Sequence, residues 1–291
     1  MVQGGVLAKL VDALKKAPFR AGSLRLLYHF SIDDRCKSMF AYTQAVPLLL
    51  QMVLNFPQRH VARELGALLV NLTWNDKAAA LVARGDGLRM LMGRSLKTHD
   101  PLLLKAVHNV SRWSFRQQQE LERGQSYPQR GLWAPYVSHL YKLLLTADEQ
   151  DVLVEAAGIL SNLTPLDMPK GARLHQVAAE LGVSEFIRSY MVPGFGDDDL
   201  LLHIIMLVAT LALDPQCAPL LAGSRLPVMM HELLRAKQDD PTIMLHLLFA
   251  FVRLLRHRDT AYDLIYHTEL VDDLCRCLEH DLPAVRGMTD A

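Results

Sequence analysis

The feature that most constrains this chain is a repeat: an apolar stretch closing on a short polar signature recurs along its whole length. The clearest copies are Gly66-Ala-Leu-Leu-Val-Asn-Leu-Thr73, Lys105-Ala-Val-His-Asn-Val-Ser111 and Gly158-Ile-Leu-Ser-Asn-Leu-Thr164. Weaker copies are Leu26-Leu-Tyr-His-Phe-Ser31, Leu207-Val-Ala-Thr-Leu-Ala212 and Phe251-Val-Arg-Leu-Leu255. Aligned on His29, Asn71, Asn109, Asn162, Thr210 and Arg253, the copies stand roughly 42, 38, 53, 48 and 43 residues apart, close to the 40–47 of two- and three-helix solenoid repeats. A unit of that size cannot bury its own apolar face, so the chain must stack its units to form a core.

Within a unit, the signature helix is followed by a short helix and then a third that often starts near a proline. The third helix reads as Ala45-Val-Pro-Leu-Leu-Leu-Gln-Met-Val-Leu54, Gly87-Leu-Arg-Met-Leu-Met-Gly-Arg-Ser-Leu96 and Leu226-Pro-Val-Met-Met-His-Glu-Leu-Leu234. Proline costs nothing in a first helical turn, and Gly85, Gly87 and Gly223 are placed to supply positive φ between helices. No sustained period-2 alternation marks a strand. The expectation is an all-α, armadillo-type superhelical solenoid of about six three-helix repeats over residues 1–291. Polar insertions near 114–131 and 165–171 read as loops on one face, the first long enough to be partly disordered or to serve as a binding element.

The periodicity also assigns faces. At about 100° per residue, Val61, Leu65, Leu68 and Leu72 share one stripe, the core, while Glu64, Ala67, Asn71 and Trp74 form the adjoining stripe that would line the concave surface.

Composition narrows the function. Lys+Arg and Asp+Glu both total 31, leaving no basic excess to drive counterion release from nucleic acid. The N-terminal stretch carries Lys9, Asp12, Lys15 and Lys16 among its apolar residues, unlike a signal peptide. The longest apolar run, Leu200 to Leu213, is about 14 residues, short of a membrane span. Cys36, Cys217, Cys275 and Cys277 form no framework and suit a reducing compartment. A cytoplasmic protein without membrane insertion is expected.

Short motifs add little chemistry. The three Asn-x-Ser/Thr triplets at 71, 109 and 162 sit in repeat helices and read as structural or groove-facing amides, able to hold a peptide main chain. His231-Glu-Leu-Leu-Arg235 begins like a zinc-protease motif, but Arg235 stands where the second histidine is required, so it reads as an exposed helix face. Cys275-Arg-Cys277 has no companion pair for zinc, Gly85-Asp-Gly87 lacks the third glycine of a nucleotide loop, and no Gly-x-Ser-x-Gly elbow occurs. No catalytic residue, cofactor or metal is expected. Asp197-Asp-Asp199 reads as a cap for the helix starting at Leu200. Arg253, Arg256, His257 and Arg258 read as charge at a helix C-terminus that can also receive an acidic partner segment. Of three tryptophans, Trp113 is the expected binding anchor.

Longer segments carry a resemblance. Asp34-Arg-Cys-Lys-Ser-Met-Phe-Ala-Tyr-Thr43, Gly85–Lys97 with Asp100-Pro-Leu-Leu-Leu-Lys105, and Asp197-Asp-Asp-Leu-Leu201 are similar, in order and spacing, to the kinesin-associated protein, the armadillo-repeat non-motor subunit of heterotrimeric kinesin-II. The resemblance runs from about Gly22 to Arg286; the insertions depart from the family pattern, and the chain is shorter than is usual there. It implies a non-enzymatic adaptor whose partners are kinesin-II motor tails and cargo adaptor proteins, in microtubule-based and intraflagellar transport, with a cytoplasmic, microtubule- and cilium-associated location. No site residue follows from it. The competing reading, an importin-α-like carrier of basic peptides or a signalling scaffold, is weakened because Ala67, Lys105 and Gly158 stand where that carrier's groove has tryptophan. From repeat register, the candidate protein-binding residues are Asn71, Trp74, Lys105, Asn109, Arg112, Trp113 and Asn162.

Overall fold

The computed structural model describes residues 4–121, 131–164, 167, 174–192 and 198–289. Helices account for every regular element among the described residues, as the repeat pattern predicts. The chain forms two compact units, Met1–Tyr127 and Pro128–Ala291.

The first unit contains α1 (Gly4–Ala13), α2 (Ala17–Phe30), α3 (Asp34–Phe40), α4 (Ala45–Leu54), α5 (Arg63–Thr73), α6 (Asp76–Ala83), α7 (Gly87–Thr98) and α8 (Pro101–Leu121). The signature helices α2, α5 and α8 stack on one another in sequence, and α4 packs on α7 behind them. In the second unit come α9 (Val137–Thr146), α10 (Gln150–Ser161), α11 (Leu174–Glu180), α12 (Val183–Tyr190), α13 (Asp198–Leu211), α14 (Ala218–Gly223), α15 (Leu226–Ala236), α16 (Pro241–Leu254), α17 (Arg258–Tyr266), α18 (Leu270–Leu278) and α19 (Pro283–Thr289). There α10, α13, α16 and α19 form the corresponding stack.

Side-chain caps punctuate the array. Asp33 accepts from the Cys36 N–H at 2.9 Å, Asn75 from Lys77 and Ala78, and Asp240 from Thr242 and Ile243, each using an oxygen to satisfy the free donors of a first turn. Asp100 does more: Oδ1 caps α8 through Leu102 N–H at 3.0 Å, while Oδ2 accepts from Val61 N–H at 2.7 Å, 39 residues earlier. One buried carboxylate thus starts one signature helix and ties down the entry to the preceding one.

The predicted core stripe is buried: Leu65, Leu68 and Leu72 are at most 1% exposed and Val61 is 7% exposed. Close packing of α5 on α8 depends on Gly66, where a Cβ would lie 2.9 Å from the Leu102 Cβ. Gly85 has positive φ as expected, but Gly87 and Gly223 do not. Gly87 is needed for space instead, since a Cβ there would stand 2.5 Å from the Val82 carbonyl oxygen.

One further expectation changes. Residues 114–121 are not loop: α8 continues without a break to Leu121, with Ser114 and Gln118 buried. Of the second insertion, Asp167 alone is described, and it accepts from the Thr164 N–H at 3.0 Å; the rest, like residues 122–130 of the first insertion and the Asp197 expected to cap α13, lies outside the described residues. No single helix among the described residues is long and apolar enough to cross a membrane.

Candidate functional site

The polar signature positions do one job repeatedly: they reach back one repeat. Asn71 Nδ2 donates to Ser31 Oγ at 3.0 Å. Asn109 Nδ2 donates to the Val70 carbonyl at 3.0 Å and to Thr73 Oγ1 at 3.2 Å. In the second unit Thr210 Oγ1 donates to the Ser161 carbonyl and Arg253 to the Ala209 carbonyl at 3.1 Å, while His257 Nε2 lies 2.6 Å from the Ala212 carbonyl. The carbonyls they meet sit at or near the C-terminal ends of signature helices, where intrahelical donors run out. Asn71, Asn109, Thr210 and Arg253 therefore each supply a donor to the end of the preceding signature helix, and the spacing of the pattern is the spacing of the stack.

This use divides the candidate residues. Asn109 is 5% exposed and Trp113 9%, so both are built into the first unit rather than offered on its surface. Trp113, expected to be the anchor, belongs to the core; the exposed tryptophan is Trp74, at 54%. Asn71 and Arg112 are half-buried and Lys105 is exposed. In the second unit, Asn162 is not inside a helix as expected: α10 ends at Ser161 and Asn162 is its C-cap, half-buried.

Trp74 closes α5, and Arg112 of α8 lies over it, the guanidinium carbon 3.3 Å from the ring centroid, with Nη2 donating to the Trp74 carbonyl at 3.2 Å. Burial, and then the positive charge of Arg116, hold Arg112 below its ordinary pKa against the pull of Asp76. Its Nε is buried with no acceptor among the described residues. Arg116 pairs with Asp76 one helix further on. Nearby in the same unit, Lys77 sits 4.9 Å over the exposed Tyr42 ring. Cations stacked on exposed rings form a surface suited to gripping a segment by its apolar and acidic side chains.

A neutral total hides the arrangement of charge. The first unit carries 18 Lys and Arg against 9 Asp and Glu, a formal +9, and the second 13 against 22, a formal −9. Counting by halves would have revealed this from sequence. Less legible was a buried network between α15 and α18. His231 Nε2 lies 2.6 Å from Asp273 Oδ2, Arg235 Nε donates to the same oxygen at 2.7 Å, Arg276 binds the other oxygen, and Arg235 also pairs with Glu269. His231 is 5% exposed, so the helix face read as exposed is an interior contact. Its partner stands 42 residues away, which no local motif signals.

Burial, followed by the Asp214 charge, pushes the Cys217 thiol up to about 12, and burial also raises Cys36 and Cys277, leaving these thiols poorly reactive near neutral pH. A cavity of about 370 Å³ in the first unit is walled mainly by Leu24, Leu48, Met52, Phe56 and Leu65, with Arg20 its single charged lining residue.

Comparison with known proteins agrees with this architecture. A family profile described as "Kinesin-associated protein (KAP)" matches residues 1–290. Among solved structures, a crystal structure of an engineered protein superposes with a TM-score of 0.64 at 16% identity, over 86% of this chain and 96% of the other. A designed armadillo repeat protein gives 0.59 at 15% identity, over 84% and 97%. A second, crystallised with a (KR)4 peptide, gives 0.57 at 16% identity, over 84% and 96%. At such identities these neighbours speak for the fold alone.

Proposed function

This chain belongs to the kinesin-associated protein family, and from that membership we propose that it is a non-enzymatic adaptor of heterotrimeric kinesin-II. It binds motor-chain tails and links them to cargo adaptor proteins in microtubule-based and intraflagellar transport. The setting is cytoplasmic, associated with microtubules and cilia. The family match over residues 1–290 is the observation that carries this reading, and the repeat architecture supports it.

Within the proposal, each unit contributes a docking face beside its signature helices. In the first unit Trp74, Arg112, Asn71 and Lys105 meet the partner, while buried Asn109 and Trp113 hold α8 in the position that sets Arg112 over Trp74. In the second unit Asn162 lies on the corresponding edge at the end of α10. The positive charge of the first unit favours tail segments that carry carboxylates.

Titration of the full chain with purified kinesin-II motor tails tests this. Trp74→Ala combined with Arg112→Ala removes an aromatic and arginine pair of the kind that dominates interfaces, so affinity should fall by about tenfold or more with the helical content unchanged. Unchanged affinity in a folded variant would move the docking face elsewhere; no binding by the unaltered chain would remove the motor-tail reading.

A further inference from the structure

The helices α17 and α18, packed on one another, each present exposed apolar residues. On α18, Leu270, Asp273 and Cys277 are buried, which turns the opposite side outward. There Val271, Cys275 and Leu278 fall within about 60° of one another, a second apolar stripe on a helix that has already buried its first. Val271 is 54% and Leu278 44% exposed. On α17, Tyr262, Ile265 and Tyr266 are 54%, 47% and 70% exposed, the two tyrosine rings 4.8 Å apart one helical turn from each other. Isolated exposed apolar residues are ordinary on protein surfaces, but an ordered stripe on each of two packed helices is not.

Charge says what fits the strip. From Arg258, the first residue of α17, to Asp281 stand seven Asp and Glu against two Arg, Arg258 and Arg276. Three of the seven are engaged: Asp273 by Arg235, His231 and Arg276, Glu269 by Arg235, and Asp263 by His267. The other four, Asp259, Asp272, Glu279 and Asp281, are exposed and form no ion pair among the described residues. Asp272 on α18 and Glu279, the residue that ends it, fall on one side by helical register, about 90° round from Val271 and Leu278, and so rim the apolar surface. Such a rim repels nucleic acid and anionic lipid and selects a cationic partner. Each helix is nine residues long, giving a strip of roughly 13 Å. That length suits two or three turns of one helix and is short for a stable contact between two folded units.

We propose that the α17 and α18 strip docks a Lys/Arg-bearing amphipathic helix of a partner protein, apolar residues on the tyrosines and on Val271 and Leu278, cations on Asp272 and Glu279. This surface belongs to the second unit and the Trp74 and Arg112 face to the first, and its test uses no motor tail.

The probe is a fluorescent synthetic helix with leucines on one side and lysines on the other, titrated into the full chain and followed by anisotropy, with a leucine and glutamate helix as control. The lysine helix should bind, more weakly as salt rises, and the glutamate helix should not. Tyr262→Ser with Tyr266→Ser, and separately Asp272→Lys with Glu279→Lys, should each weaken binding by about tenfold or more without altering thermal unfolding, since all four side chains are exposed. Absence of binding, or equal affinity in both variants, would overturn the proposal. So would concentration-dependent self-association in sedimentation that the same substitutions abolish, because a second copy would then be the occupant.

Discussion

Replacing Leu68 with alanine should lower the unfolding free energy of the chain by about 2–5 kcal/mol in urea denaturation. Leu68 is fully buried in the middle of α5, which packs on α2 before it and α8 after it. Truncation removes apolar area from water-free surroundings and leaves a cavity that neighbours on both sides must close. Gly66 limits that closure, because α5 and α8 already approach as near as a missing Cβ allows. In a stacked array each repeat is stabilised by its neighbours, so the defect should also loosen α2 and α8, visible as faster amide exchange there than in α13 or α16. A loss well below 1 kcal/mol would mean that α5 is not the centre of the first unit.

The second large effect belongs to the buried carboxylate of the other unit. Burial pushes the Asp273 carboxyl up, but bonds from Arg235 and His231 and the charges of Arg235 and Arg276 together outweigh it and hold the group below its ordinary 3.8. A depressed carboxylate contributes stability that is complete above its ordinary pKa and lost as pH falls through the folded value. Asp273→Asn should therefore cost about 3 kcal/mol at neutral pH, the lower end for breaking a buried pair because Arg235 is 41% exposed and water shares its charge. The unaltered chain should also lose stability as pH drops below about 4, and the variant should lack that part of the slope. Unfolding followed at several pH values separates the two; parallel curves would show that Asp273 is not the group responsible.

The repeat was legible because its physics is local. Helical periodicity and the boundaries of α4, α7 and α15 depend on residues within a turn or two of one another. What the sequence hid depends on partners about one repeat away. The bond from Asp100 to Val61 spans 39 residues and the contact from His231 to Asp273 spans 42, distances that match the repeat but are marked by no motif. The same reason explains the mistaken tryptophan. Trp74 and Trp113 both follow a signature segment, but α5 ends at Thr73 and exposes its next residue, whereas α8 runs on to Leu121 and carries Trp113 into the core. Polar residues after Ser114 suggested a loop, yet α8 runs through them and buries Ser114 and Gln118.

Signature amides join repeats, and in the proposed function their exposed neighbours meet partners. The most direct test is Asn109→Ala, with urea unfolding and motor-tail affinity measured on one preparation. Loss of the buried bonds to Val70 and Thr73 should cost about 1–3 kcal/mol, while affinity at a temperature where the variant is folded should fall much less than for the Trp74 and Arg112 pair. Unchanged stability with a tenfold or greater loss of affinity would contradict the account, because Asn109 would then be holding the partner and not the preceding repeat.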